Sequence, residues 1–218
     1  MARKKLERFL QNQQNENLIE RGKEWFTTIK GKWNSGFFKN DNPITLELAC
    51  GRGELTLIMA KNFPERNFIG VDVKGARIWK GSQTAIEENL QNAGFLRTSI
   101  QYMEEFFVPG EVAEIYIMFP DPHPFDHHEK YRLTSQTFLD LYKKLMIPGG
   151  LIHLKTDNAP LFHYTSDFVK KYGGEIVFET TSFYDSEMKD AHFGVKTKYE
   201  QMFTLKGEIV HYIIFKIS

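Results

Sequence analysis

The chain of 218 residues carries 28 Lys and Arg against 28 Asp and Glu. That balance is not the strongly basic footprint of a protein that coats nucleic acid, although local basic patches remain open. A single cysteine, Cys50, leaves no internal disulfide and points to a cytoplasmic setting. No apolar run approaches a membrane span, and the basic start MARKKLERFLQNQQ lacks the apolar stretch of a secretory signal.

Residues 1–40 are polar, then aromatic, with Trp25, Phe26, Trp33, Phe37 and Phe38. They read as an N-terminal extension packing on one domain, 41–218, whose length suits a single core. Arg3, Lys4, Lys5 and Arg8 form a local patch for solvent or for phosphate. The aromatic cluster reads as packing, with base stacking as the alternative.

From Pro43 onward the pattern becomes regular. Strands are expected at 44–49, 67–73, 98–102, 113–119, 151–157, 175–181 and 208–217. Helices are expected from 54 to 63, from 74 to about 93 with Gly94 as C-cap, from 134 or 135 to 146, and from 159 to about 172. Pro148-Gly149-Gly150 and Gly173-Gly174 punctuate the last two helices. Strands alternating with helices predict an α/β fold with a mostly parallel sheet, seven strands in all and helices on both faces. The last two strands lack a clear helix between them and predict an antiparallel hairpin at one edge.

Two segments carry the chemistry. The first is strand, Gly51-x-Gly53, helix, a nucleotide-binding arrangement in which glycines allow a tight turn and close approach of a ligand. The dinucleotide fingerprint places a third glycine where Thr56 stands, which disfavours a nicotinamide cofactor, and no P-loop lysine follows. Asp72 ends the second strand, where an acid accepts hydrogen bonds from ribose hydroxyls. Glu47 precedes the turn within an apolar strand. A carboxylate there repels pyrophosphate and suits the ammonium and sulfonium charges of S-adenosylmethionine, unless it simply faces outward. The second segment is EIYIMFPDPHP, a strand ending in Asp121 between Pro120 and Pro122. Each proline fixes its own φ and restricts its predecessor, so Asp121 is a stiffened acid at the sheet edge where ligands bind, or a solvated turn residue.

LELACGRG (46–53), IGVD (69–72), FPDPHP (119–124), PGGLIHLKTDN (148–158) and TKYE (197–200) occur in that order. The set resembles the bacterial tRNA (guanine-N7)-methyltransferase family, class I S-adenosylmethionine-dependent enzymes of Rossmann-like fold that form 7-methylguanosine at variable-loop position 46 of tRNA. The resemblance spans about 43–217. It implies Glu47, Gly51, Gly53, Asp72, Ser99 and Asp121 as cofactor-binding positions, Asp121 also as catalytic. It implies Asp157 and Thr197, Lys198, Tyr199 and Glu200 as substrate-binding positions. It implies tRNA as partner. No membrane is expected and no obligate protein partner is inferred, with monomer and homodimer both open.

The chain departs from the family pattern in places. Ser99 stands where the family shows Asp or Asn. His123 replaces the Trp after Asp-Pro, and Phe125-Asp126-His127-His128 replaces the start of a run of Lys and Arg. Lost lysines lower phosphate attraction, which keeps open another RNA or a small molecule as substrate, or a silent homologue that binds without turnover. His123, His127 and His128 with Asp121 and Asp126 match no standard zinc spacing, and no metal is assigned. They read as solvent-facing or as RNA contacts. T-x-x-E at 197–200 also reads as a helix capping box, and His153 as a satisfied core residue.

Overall fold

The computed structural model describes residues 2–192, Glu200 and 209–217. Eight strands form one sheet in the order β1-β4-β3-β2-β5-β6-β8-β7. These are β1 (Leu18–Ile19), β2 (Ile44–Leu48), β3 (Asn67–Val71), β4 (Ala93–Leu96), β5 (Val112–Met118), β6 (Met146–Thr156), β7 (Glu175–Thr180) and β8 (His211–Lys216). Strands β1 to β6 pair in parallel, and β8 runs antiparallel to both β6 and β7. The expected mostly parallel sheet with an antiparallel edge is therefore present, with one strand more than the seven expected. The extra one is β1, whose two residues are too short to leave a period in the sequence.

Among the described residues, the α-helices beside the sheet are α1 (Ala2–Gln14), α2 (Trp25–Thr28), α3 (Glu54–Asn62), α4 (Gly75–Glu87), α5 (Gln136–Leu145) and α6 (Ala159–Tyr172). Helix α6 shows why such boundaries are readable. Asn158 Oδ1 accepts the Leu161 amide at 2.9 Å, Pro160 sits in the first turn, and Gly173 ends the helix at φ +87°. The β5–β6 register shifts between Val112 and Glu114, opposite the Pro148-Gly149-Gly150 segment. That segment belongs to β6, which begins at Met146 rather than at 151.

The third parallel strand corrects the sequence reading. It lies at Ala93–Leu96, inside the stretch expected to finish a helix, while Ile100–Glu105 forms a 3-10 helix instead of a strand. Asn89, at φ +55°, takes the left-handed position just past α4 that Gly94 was expected to fill. Gly94 serves a different purpose: a Cβ there would lie 2.8 Å from the Phe37 ring. In the 3-10 turn the Met103 side chain is fully buried, which a flat strand of the same residues would not require.

The N-terminal segment is tied to the sheet. β1 extends it beyond β4, and α1 packs on α4, with Asn12 donating to the Gly75 carbonyl at 3.1 Å. Trp33 is fully buried, stacks on Phe107 at 5.2 Å and donates its indole N–H to the Phe106 carbonyl. The aromatic cluster is core packing.

Candidate active site

The sheet order reverses between β2 and β5, each a parallel neighbour of the other with later or earlier strands fanning outward. Ligands of open α/β sheets bind beyond the strand ends at such a point. A cleft of about 740 Å³ opens there, lined by Glu47, Ala49, Gly51, Asp72, Phe119 and Asp121 among others. A second hollow of about 260 Å³ shares Ala49 and Asp72 with it and continues to Ser99, His123 and Tyr131. The proposed cofactor positions thus line two adjoining hollows that share Ala49 and Asp72, apart from Gly53, which forms the turn beside them.

Both central strands end on a non-glycine residue in the left-handed region, Ala49 after β2 at φ +56° and Phe119 after β5 at φ +50°. Such a residue is held at a penalty of about 1–3 kcal/mol. The ladder supplies the hold: Cys50 N–H donates to Val71 O at 3.0 Å and Phe119 N–H to Lys155 O at 2.8 Å. Gly53 has φ +67°, and a Cβ on it would lie 2.5 Å from Phe95. The same ring fills the space that a Cβ on Gly81 of α4 would need, at 2.7 Å. The glycine turn therefore exists partly to let Phe95 of β4 seat α3 and α4 together.

Glu47 is buried on β2 and faces the first turn of α3. Its Oε2 accepts the Thr56 amide at 2.8 Å and also the Thr56 hydroxyl. Burial pushes the carboxyl up from 4.5 to about 7, and the two Thr56 bonds only partly oppose that rise. Thr56 stands where a dinucleotide fold has its third glycine. In this chain it holds the cleft's acid, which the sequence reading missed because the pairing lies across a turn. Asp72 is buried too. Its Oδ2 accepts the Gly51 amide at 2.9 Å and its Oδ1 the Lys74 amide at 2.7 Å. Each carboxylate oxygen can accept about two hydrogen bonds, so capacity remains for ribose hydroxyls.

Ser99 precedes the 3-10 helix, beyond the end of β4 rather than within a strand. Asp121 is exposed at the cleft edge, and the His123 amide approaches its Oδ1 at 3.4 Å. Asp157 follows the end of β6 and is half-buried. Thr197, Lys198 and Tyr199 lie outside the described residues. Glu200 is 1 % exposed and pairs with the ammonium of Lys155, itself 1 % exposed on β6. The Tyr184 hydroxyl donates to Glu200, and the Lys155 Nζ lies 3.7 Å from the centroid of the Phe183 ring. Glu200 thus faces the protein interior beside β6. A lysine inside the apolar strand LIHLKT was the available signal for this pairing. His153 has both ring nitrogens partnered, by Glu114 and Tyr212 at 2.7 Å each. Among the described residues, no group of three His, Cys, Asp or Glu side chains is placed to hold a metal ion, and no helix is long and apolar enough to cross a membrane.

The donor set fits a cofactor with positive charge and a ribose. Two buried carboxylates already oriented by backbone amides would repel a pyrophosphate. Solved structures share this fold: an antibiotic-related methyltransferase at TM-score 0.65 and 14% identity, covering 94% of this chain and 98% of that one, and the 16S rRNA methyltransferase KamB at TM-score 0.62 and 15% identity, covering 81% and 88%. These likenesses show the Rossmann-like fold, with the cleft at its point of strand reversal. The sequence profile of the family described as "Putative methyltransferase" matches residues 41–213. The tRNA (guanine-N(7)-)-methyltransferase of Cytophaga hutchinsonii is 45% identical over 99% of this chain and 98% of its own. That of Christiangramia forsetii is 42% identical over 100% and 99%. The chain belongs to the tRNA (guanine-N7)-methyltransferase family.

Proposed function

We propose that the protein transfers a methyl group from S-adenosylmethionine to N7 of guanine 46 in the variable loop of tRNA. The observation that carries this reading is the cleft at the sheet's reversal point, with Glu47, Asp72 and Asp121 around it, in a chain that shares 45% identity with a tRNA (guanine-N(7)-)-methyltransferase over nearly its whole length. The reading carries with it a cytoplasmic setting, and residues 1–40 as an extension of one catalytic domain.

When bound, S-adenosylmethionine supplies an electrophilic methyl on a cationic sulfur. Glu47 holds positive charge at the buried end of the cleft, and Asp72 holds the ribose. Ser99 lines the adjoining hollow on the adenine side. Guanine N7 has a lone pair and no proton, so no general base is required and the protein's work is orientation and electrostatics. Asp121, stiffened by its flanking prolines, stabilises the positive charge that develops on the purine ring and accepts hydrogen bonds from the guanine edge. Asp157 helps hold the base. Glu200 acts through Lys155 of β6, while Thr197, Lys198 and Tyr199 supply contacts to substrate.

The test is methyl transfer from labelled cofactor to tRNA, compared with tRNA whose variable-loop guanine is replaced. Label that depends on that guanine is expected. Asp121→Asn and Asp157→Asn, at exposed and half-buried positions, are expected to fold normally and lose turnover by at least tenfold. Near-full turnover in both would remove these acids from the site. Cofactor binding without label on any tRNA would leave a different substrate or a silent homologue.

A further inference from the structure

The loop after β5 carries a run of aromatic and imidazole rings. Phe125 is 60 % exposed and Tyr131 50 %. The Phe125 ring lies nearly parallel to His127, centroids 5.6 Å apart at 19°. His127 meets His128 at 4.1 Å, and His128 meets Tyr131 and His123 at 5.8 and 6.2 Å. The result is a continuous patch of five rings on the surface. Its inner end is part of the active site, since His123 and Tyr131 line the hollow that also reaches Ser99 and Asp72.

The two basic side chains that follow both lie against rings. Arg132 donates from Nε to the His123 carbonyl at 3.1 Å, and its guanidinium lies 4.4 Å from the centroid of the Tyr164 ring. Lys130 lies 5.2 Å from the centroid of the Tyr131 ring. Asp126 and Glu129 add negative charge to the same short helix, Asp126–Tyr131. A phosphate approaching this loop meets the two acids Asp126 and Glu129 beside the two cations Lys130 and Arg132. An unpaired base meets flat, exposed π faces, the surface on which single-stranded nucleic acid stacks.

We propose that the ring cluster His123, Phe125, His127, His128 and Tyr131 is a stacking platform for an unpaired nucleobase next to the target guanine, replacing phosphate contacts with base contacts. The proposal rests on the RNA substrate reading above and deepens it. Stacking exchanges no counterions, whereas each phosphate contact steepens the salt dependence of binding.

The experiment measures tRNA affinity by fluorescence anisotropy from 50 to 300 mM salt for the full chain and for Phe125→Ala, His127→Ala and Phe125→Lys. Circular dichroism confirms folding, which alanine at these exposed positions leaves intact. Phe125→Ala and His127→Ala are expected to bind about five- to a hundredfold more weakly, with the slope of log affinity against log salt unchanged. Phe125→Lys is expected to steepen the slope by about 0.7 to 0.9. Unchanged affinity in both alanine variants overturns the platform. So does weakening accompanied by a shallower slope in His127→Ala, which would make that histidine a phosphate contact. A wild-type chain that binds no tRNA at any salt overturns the substrate reading itself.

Discussion

Glu47 offers a direct test of the cofactor assignment. Burial lifts its carboxyl from 4.5 to about 7, so the fold disfavours the charged form by about 3 kcal/mol at 1.36 kcal/mol per unit. Because the folded value lies above the unfolded one, the associated stability is fully present below about pH 4.5 and is lost as pH rises through 7. The apoprotein should therefore lose stability across that window relative to Glu47→Gln. Cofactor binding has the opposite sign. A cation beside Glu47 requires the ionised carboxylate, so below pH 7 binding must release a proton. Wild-type affinity should then weaken nearly tenfold per pH unit, to roughly thirtyfold at pH 5.5 relative to its plateau. Calorimetric titration with S-adenosylmethionine between pH 5.5 and 7.5, in buffers of different ionisation enthalpy, reads affinity and proton release together. Glu47→Gln should bind more weakly at neutral pH and show neither the slope nor the proton release attributable to this group. A flat wild-type profile without proton release, or the same slope in Glu47→Gln, would refute the reasoning.

Two further predictions concern the support of the site. Lys155→Met strands Glu200 as an uncompensated buried charge, and denaturant titration should show a loss of about 3–5 kcal/mol. The double variant Lys155→Met/Glu200→Leu should regain most of that loss while losing turnover, if the pair positions the 197–200 segment. Gly81→Ala places a Cβ 2.6 Å from the Arg52 carbonyl and 2.7 Å from Phe95. It should destabilise by about 1–3 kcal/mol and reduce the thermal shift produced by cofactor, because Arg52 belongs to the glycine turn.

Features encoded within one short segment were readable. The β2 strand, its glycine turn and α3 follow each other without interruption, and the acids before and after them could be placed at strand ends. Asn158, Pro160 and Gly173 mark α6 by local chemistry alone. Failures occurred where a distant partner decides the outcome. Gly94 resembles a helix stop until the Phe37 ring that occupies its missing side chain is seen. Thr56 reads correctly as a departure from the dinucleotide fingerprint, but its bond to Glu47, nine residues earlier, is not legible there. The pairing of Glu200 with Lys155 is likewise not legible from the sequence around Glu200 alone. β1 carries no period because two residues cannot make one, and its pairing with β4 comes from chain far along the sequence.

The three cleft acids are held by different means, and the differences match the roles proposed for each. Glu47 and Asp72 are buried and fixed by amides, from α3 and from the loops after β2 and β3. Their orientation is set before any ligand arrives, which suits groups that hold a cofactor without rearranging. Asp121 lies at the exposed rim and, among the described residues, has a single long hydrogen-bond contact, to its own loop. Its backbone is constrained by Pro120 and Pro122, while the carboxylate keeps its hydrogen-bonding capacity for an incoming base. In a methyl transfer to a nitrogen lone pair, no residue has to take a proton. The catalytic task reduces to presenting charge at a fixed place. A sheet whose order reverses between two parallel strands, each ended by a left-handed residue, brings those charges to one place from segments some seventy residues apart in the chain.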